Sequence, residues 1–490
     1  MARSGLGLWA VGAAVFLLAL GVRELRPHTQ PAALLGPRPD SLEYVAGAQA
    51  IVQDGRYFLQ VGPDAVRPRY PPGFSLLLAP ALAVGVPPPA LWRVTAFYGA
   101  ALAVLVGVVA AGVVRHLRPG HPGTQAAALA LAGGLWAVTP AAVAVGRAVL
   151  SDEPATLFWL LTLVLALRAV RAPTVGIGAA CGVVWALTLA IRPVVAVPAG
   201  LVLAPLGFAL LRDRAGAARR TLLAAAGGAA AVVAGVIALL LHSGLPAWPW
   251  DGYQFWLPER HGVPGGVWSL DYALRGDPHV PRLVDGAPIG SLEFVARAAL
   301  GLPGLATYDS AGPFWPTAGL VLLALALGHG ATRRKLAGPV RGLAWGLALW
   351  VVFQVGLYGG YFFCSARFLL PLLALFAVAF GAGAAVIGSR SRVALVAVGL
   401  VALGASGATA YQVHQFESLR PRRVFEVPSA VVVESWLARS DAERAGMRVP
   451  FDPVHAQALG LLPPRRLEAI REWGELPDTV HVRRLRRRAN

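Results

Sequence analysis

Apolar residues in this chain gather into long unbroken runs, divided by short polar stretches. Runs of about 17–25 apolar residues are long enough to cross a bilayer as helices. They fall near 5–22, 91–114, 124–145, 154–170, 174–191, 194–211, 221–241, 314–330, 342–358, 368–388 and 393–411. The pattern predicts an all-α polytopic membrane protein with about eleven transmembrane helices. The first run is read as a retained span, because no clean small-x-small cleavage site follows it.

The stretch from Phe74 to Val86 is apolar but too short to span, and Pro87-Pro88-Pro89 closes it. It reads as a juxtamembrane or re-entrant helix. Charge supports leaving it out. The inner loops then hold Arg115 with Arg118, Arg168 to Arg171, Arg212 to Arg220, Arg333-Arg334-Lys335, and Arg390 with Arg392. All are basic, as cytoplasmic loops are. On this layout 23–90, 146–153 and 242–313 are three outer loops. Residues 1–412 form a transmembrane domain, and 413–490 a small extracytoplasmic tail.

Composition agrees with the pattern. The 490 residues are 56% hydrophobic and 14% charged, against about 25% charged in soluble domains. The net charge of +18 does not point to nucleic acid. Its excess lies in inner loops and in Arg483-Arg484-Leu485-Arg486-Arg487-Arg488, a run suited to anionic headgroups or to solvent. Cys181 and Cys364 are read as two unpaired small residues.

Candidate chemistry collects on the outer face. Leu42 to Val52 reads as a short amphipathic helix with Asp40 just before its first turn and Glu43 nearby. Asp152 and Glu153 open the fourth span in the sequence Ser151-Asp152-Glu153-Pro154. Acids near a helix N-terminus can be ordinary caps. Two carboxylate sites on one face can also supply a general base and an orienting or metal-binding partner. Arg67, Arg69, Arg147, Arg192 and Arg367 lie on that same face, where positive charge is usually scarce. Each alone could snorkel to headgroups. As a set they suit an anion, because guanidinium forks match phosphate oxygens. The third loop carries Trp248, Trp250, Tyr253, Phe255, Trp256 and Trp268, either an interfacial aromatic belt or faces for sugar rings. Leu292 to Leu300 reads as another surface helix.

At these residues the chain resembles the integral-membrane glycosyltransferases of the GT-C fold. It is most similar to the bacterial branch related to protein O-mannosyltransferases and lipid A aminoarabinose transferases. The features occur in order: an N-terminal span, Asp40 opening the first outer loop, Tyr44, Ala46 and Ala50 after it, Arg69-Tyr70-Pro71-Pro72 leading into a juxtamembrane helix, then Asp152-Glu153-Pro154. The likeness covers about residues 1–200. Relatives often have adjacent Asp-Glu in the first loop, whereas Ser41 and Leu42 separate Asp40 from Glu43 here.

The resemblance implies sugar transfer from a polyprenyl-phosphate donor to an acceptor at the outer face of a bacterial plasma membrane, usually with inversion. It implies Asp40 as base, Arg69 on the carrier phosphate and Asp152 as second acid. Glu43 and Glu153 join the candidate catalytic set, Arg67, Arg147, Arg192 and Arg367 the phosphate set, and Tyr44, Tyr70 and Trp256 the substrate contacts. The acceptor class stays open among glycan, lipid and protein. A divalent cation, Mg²⁺ or Mn²⁺, could sit on the acids. The rival reading is a transporter or flippase of a lipid-linked or anionic substrate, which calls for ionisable groups at mid-depth. Gln354 is the polar candidate there.

Overall fold

The computed structural model describes residues 2–25, 39–62, 64–119, 121–197, 200, 203–204, 207, 216–247, 268–276, 282–284, 287–302, 304–305, 312, 314–328, 339–361, 365–389, 391–419, 428–462 and 469–477. The expected loop residues Trp256 and Cys364, and the terminal arginine run, lie outside them.

The N-terminal half holds α1 (Ala2–Glu24), α2 (Pro39–Asp54), the hairpin β1 (Leu59–Val61) and β2 (Asp64–Val66), α3 (Gly73–Ala83), α4 (Trp92–Leu117), α5 (Pro122–Ala137), α6 (Pro140–Gly146), α7 (Asp152–Arg171) and α8 (Val175–Ile191). Then follow α9 (Gly216–His242), α10 (Leu270–Arg275), the hairpin β3 (Arg282–Val284) and β4 (Ala287–Ile289), α11 (Ser291–Leu300), α12 (Trp315–Gly328) and α13 (Pro339–Gly359). The chain closes with α14 (Leu370–Gly388), α15 (Arg392–Leu419), α16 (Ala430–Leu437), α17 (Asp441–Arg444) and α18 (Pro453–Ala458). Both hairpins are antiparallel, with Leu59 opposite Val66 and Arg282 opposite Ile289.

Among the described residues, five helices are long and apolar enough to cross a bilayer, or six if one bent pair counts as a span. That pair is α5 and α6, expected from the sequence as a single span over 124–145 and found bent by 62°. Pro140 causes the break. A proline disfavours helical backbone in the residue before it, and Thr139 is extended at φ −63°, ψ 120°. Other apolar runs form shorter helices, and the run at 194–211 lies largely outside the described residues. The stretch after Gly73 is an eleven-residue helix containing Pro80, as its length suggested.

The span ending at α14 is 89% buried and sits at the centre of the bundle, whereas the corresponding window of α9 has no buried residue and forms its rim. Between helices in lipid, close backbone approach replaces the hydrophobic drive. Gly178 and Gly182 of α8 supply it: a Cβ on either would meet the Thr221 or Ala225 carbonyl oxygen of α9 at 2.1 or 1.9 Å. A leucine at Gly182 is therefore expected to lower the thermal stability of the purified protein, since backbone cannot yield to it. Leucine at Gly176, whose Cβ would meet nothing within 4 Å, should leave it unchanged. Equal melting temperatures for the two variants would contradict this packing.

Candidate active site

Two carboxylate-bearing helix starts and three arginines, Arg69, Arg192 and Arg367, converge at one end of the bundle. Asp40 lies in the first turn of α2 rather than ahead of it, because the helix begins at Pro39, and proline is pre-organised for a helix start. Glu43 follows one turn later and is fully buried. It accepts from the Arg69 Nε at 2.5 Å and from the Arg69 backbone N–H at 2.9 Å. Arg69 also reaches Asp40 Oδ1 through Nη2 at 3.3 Å, and Arg367 Nη2 takes the other oxygen at 3.0 Å. Asp40 is thus held between two guanidinium groups, one from the first loop and one from the 3-10 turn before α14.

Burial alone would push the Asp40 carboxyl up. Arg367 and Arg69, with hydrogen bonds from Tyr70 and Arg367, outweigh it and hold the group well below its ordinary 3.8. The neighbouring Tyr44 moves the other way: burial pushes its phenol well above the usual value, so it stays protonated.

The acid-acid-proline motif splits across α7. Both acids fall inside its first turn, two residues earlier than the expected span start. Asp152 receives Arg192 Nη1 at 2.9 Å. Ser151 hydrogen-bonds with the Tyr44 hydroxyl at 2.8 Å, which links α7 to α2, and accepts from Arg192 at 3.4 Å. Arg192 and Arg367 both stand over the Phe368 ring, at 5.2 and 5.0 Å from its centroid. Phe368 in turn stacks on Tyr358 of α13 at 5.3 Å. Asp40, Glu43, Tyr44, Asp152, Arg69, Arg192 and Arg367 therefore belong to one connected cluster. Tyr70 joins it, packed on Tyr44 at 4.8 Å and beneath Arg69 at 5.1 Å.

Glu153 takes a different direction. It points at Arg23 Nη2, 2.5 Å away, with both side chains fully buried. Arg23 also caps the Ala19 carbonyl at 3.0 Å. From the sequence Arg23 opened the first outer loop, but α1 continues to Glu24 and carries it inside the bundle. Two glycines make the space: a Cβ on Gly99 would sit 2.1 Å from Glu153 Oε2, and one on Gly146 would sit 2.3 Å from Arg23 Nε. Arg147 likewise faces α1, donating to the Val22 and Leu25 carbonyls at 2.9 and 2.6 Å. Arg67 is buried in the first loop, 3% exposed.

Sequence reading missed Arg23, Ser151 as a bridge, and the Phe368–Tyr358 stack. Ser151 and Phe368 directly adjoin residues it did select. Arg23 offered no signal beyond an arginine at a span end. Among the described residues no group of three His, Cys, Asp or Glu side chains could hold a metal ion. The Asp40 and Asp152 oxygens face guanidinium groups instead. The carboxylates that a divalent cation would use are thus already taken up by arginine.

Two outcomes follow from this geometry. Breaking a buried ion pair from one side costs about 3–5 kcal/mol, while replacing both partners by apolar groups is often neutral. Glu153→Leu should lose folded protein, and Arg23→Met with Glu153→Leu should recover it; a double variant as unstable as the single would contradict the pairing. For Asp40, a folded pKa below the unfolded one stabilises at pH above the unfolded value, and that gain fades as pH falls through the folded value. The melting-temperature gap between wild type and Asp40→Asn should hold from neutral pH to about pH 5 and shrink only below about pH 4. A gap that closes between pH 7 and 5 would contradict the double clamp.

No family model and no curated protein matches the chain in sequence. Solved structures do match in fold. The archaeal oligosaccharyltransferase AglB from Archaeoglobus fulgidus, in complex with an inhibitory peptide and a dolichol-phosphate, superposes with a TM-score of 0.57 at 14% identity, over 89% of this chain. The chain spans 58% of that protein's length. ArnT from Cupriavidus metallidurans in the apo state gives 0.52 at 15% identity, over 98% of this chain and 87% of its own. ArnT bound to undecaprenyl phosphate gives 0.52 at 14%, over 97% and 86%. At this identity the likeness is one of fold, and the fold is that of the GT-C membrane glycosyltransferases.

Proposed function

We propose that the protein transfers a sugar from a polyprenyl-phosphate donor to an acceptor hydroxyl at the extracytoplasmic face of a bacterial plasma membrane, by the inverting displacement that a single base at the acceptor side would give. The observation that carries this reading is the meeting of Asp40 with Arg69 and Arg367, next to Asp152 with Arg192, at the ends of apolar helices. A lipid-linked phosphate needs both features: apolar helices for the chain, and guanidinium groups for the anion. That ArnT has been seen with undecaprenyl phosphate and AglB with dolichol-phosphate supports it.

The chemistry follows from charge. Without donor each of these arginines faces a carboxylate. A base clamped by two cations holds its lone pairs tightly and accepts a proton poorly. An arriving phosphate competes for the same guanidinium groups, with bidentate geometry in its favour. Drawn towards the phosphate, Arg367 loosens its hold on Asp40, and the carboxylate recovers basicity where the acceptor hydroxyl is to be deprotonated. The acceptor oxygen forms its bond to the anomeric carbon as the bond to the phosphate oxygen breaks. The negative charge then leaves on the polyprenyl phosphate, against Arg192 and Arg367. Stabilising charge as it develops is usually the largest contribution to such catalysis, and general base help adds about 10²–10⁴-fold. Tyr70 hydrogen-bonds to Asp40 and Tyr44 to Ser151, so both rings border the carboxylates of the cluster.

A transport reading needs ionisable groups deep in the spans. The buried polar side chain of α13, Gln354, is uncharged, and the charged pairs cluster at helix ends. The test is a transfer assay with purified protein and radiolabelled polyprenyl-phosphate sugars. One donor should be consumed, Asp40→Asn should lower kcat by at least about 10²-fold while the protein stays folded, and Arg367→Gln should raise the apparent KM for that donor about tenfold or more. Full turnover by Asp40→Asn would refute the base assignment, and an unchanged KM in Arg367→Gln would remove the phosphate role.

A further inference from the structure

The C-terminal segment makes a specific contact with the helix that carries Asp40 and Glu43. Residues 429–462 and 469–477 build a small apolar cluster of their own from residues that include Val433, Trp436, Val449, Phe451, Leu462 and Trp473. The helix α18 faces two ways, and its Ala456 packs into that cluster. Its Val454 and Ala458 belong instead to the core that contains Leu42, Val45 and Ala46 of α2. Asp452 fixes the start of α18 by accepting from the Val454 and His455 backbone N–H groups at 2.8 and 3.2 Å.

Between these surfaces sits Gln457, 4% exposed. Its Nε2 donates to the Ala46 carbonyl of α2 at 3.1 Å and to the Phe58 carbonyl at 3.2 Å. Its Oε1 accepts from the Gln60 backbone N–H of β1 at 2.6 Å. One amide thus bonds three backbone groups, one inside α2 and two in residues 58–60, 397 to 411 residues away along the chain. Ala46 lies three residues, less than one turn, beyond Glu43. Neighbouring contacts seat the same joint: a Cβ on Gly460 would lie 3.2 Å from the Gln49 amide, and one on Gly62 would lie 3.0 Å from the Leu476 side chain.

We propose that Gln457 is a positioning residue for the transfer reaction: its amide locks α2 against β1 and so fixes where Asp40 and Glu43 stand relative to Arg69. This rests on the function proposed above. Buried backbone groups left without a partner cost more than the hydrogen bond itself contributes, so removing the amide frees α2 to shift even where apolar packing survives. Gln457 touches none of the acids or arginines of the cluster, and its effect reaches the chemistry only through the placement of the helix.

The test uses the full chain, purified in detergent, with Gln457→Met, which keeps the side-chain length and removes all three hydrogen bonds. Amide hydrogen exchange in residues 44–54 should quicken about tenfold, the equivalent of about 1.4 kcal/mol, while α4 and α7 exchange as in the wild type. In the transfer assay kcat should fall about tenfold with the donor KM within about twofold, since Arg192 and Arg367 are untouched. Should the methionine variant fold poorly, Gln457→Glu retains the acceptor for Gln60 and sets an anion against two carbonyls; it should quicken the same α2 amides. Ser440→Ala, which opens the capping box of α17 far from α2, is the control. Wild-type exchange in α2 of a folded Gln457 variant would overturn the proposal. So would equal loosening of α2 by Ser440→Ala, which would make the effect general to the tail. A wild type without transfer activity would sink the proposed function alone, because the exchange readout still decides whether Gln457 holds α2.

Discussion

Charge inside an apolar bundle has to be matched, and that requirement organises this protein. Taking a guanidinium or a carboxylate out of water costs several kcal/mol each, even after relaxation. Four arginines and four acids meet the demand pairwise: Arg23 with Glu153, Arg69 with Glu43 and Asp40, Arg367 with Asp40, and Arg192 with Asp152. The pairs join elements distant in sequence. α1 is tied to α7, the first loop to α2, α2 to the turn before α14, and α7 to the end of α8. A site assembled this way is close to neutral when empty, and an anion can enter it only by exchanging places with a carboxylate.

The same rule separates two kinds of pair that look alike in sequence. Arg23 and Glu153 are sealed, with Gly99 and Gly146 giving up side chains to admit them. Asp40 and Arg367 keep 13% and 18% of their side-chain surface open. An enclosed pair holds helices together; a partly open one can trade partners. Adjacent residues of one motif, Asp152 and Glu153, therefore serve different ends, one facing the open cluster and the other the sealed joint. The aromatic floor of Phe368 on Tyr358 keeps Arg192 and Arg367 side by side, so that two cations share one platform despite their repulsion.

Much of the arrangement was legible before any coordinates. Long apolar runs and the basic loops between them gave the helical membrane class, and the eleven-residue helix after Gly73 was marked by its length and its closing prolines. The clustering of Asp40, Arg69, Asp152, Arg192 and Arg367 was visible because charge balance put them on one face. What stayed hidden depended on helix phase and on tertiary partners. Whether Glu153 faces Asp152's partners or α1 turns on about 100° of rotation per residue, which no motif records. Arg23 looked like loop because hydropathy stops at the first charge, while the helix does not. Pro140 was absorbed into a continuous run, since apolar composition hides a break in backbone. The grip of Gln457 on α2 joins positions so far apart that only the folded chain brings them together.

The most direct measurement is a structure of the protein with undecaprenyl phosphate bound. The account predicts the phosphate against Arg367 and Arg192, over Phe368, with the Arg367 guanidinium drawn off Asp40 and the Arg23–Glu153 pair unmoved. A phosphate seated elsewhere, or one bound while Arg367 keeps its grip on Asp40, would contradict it.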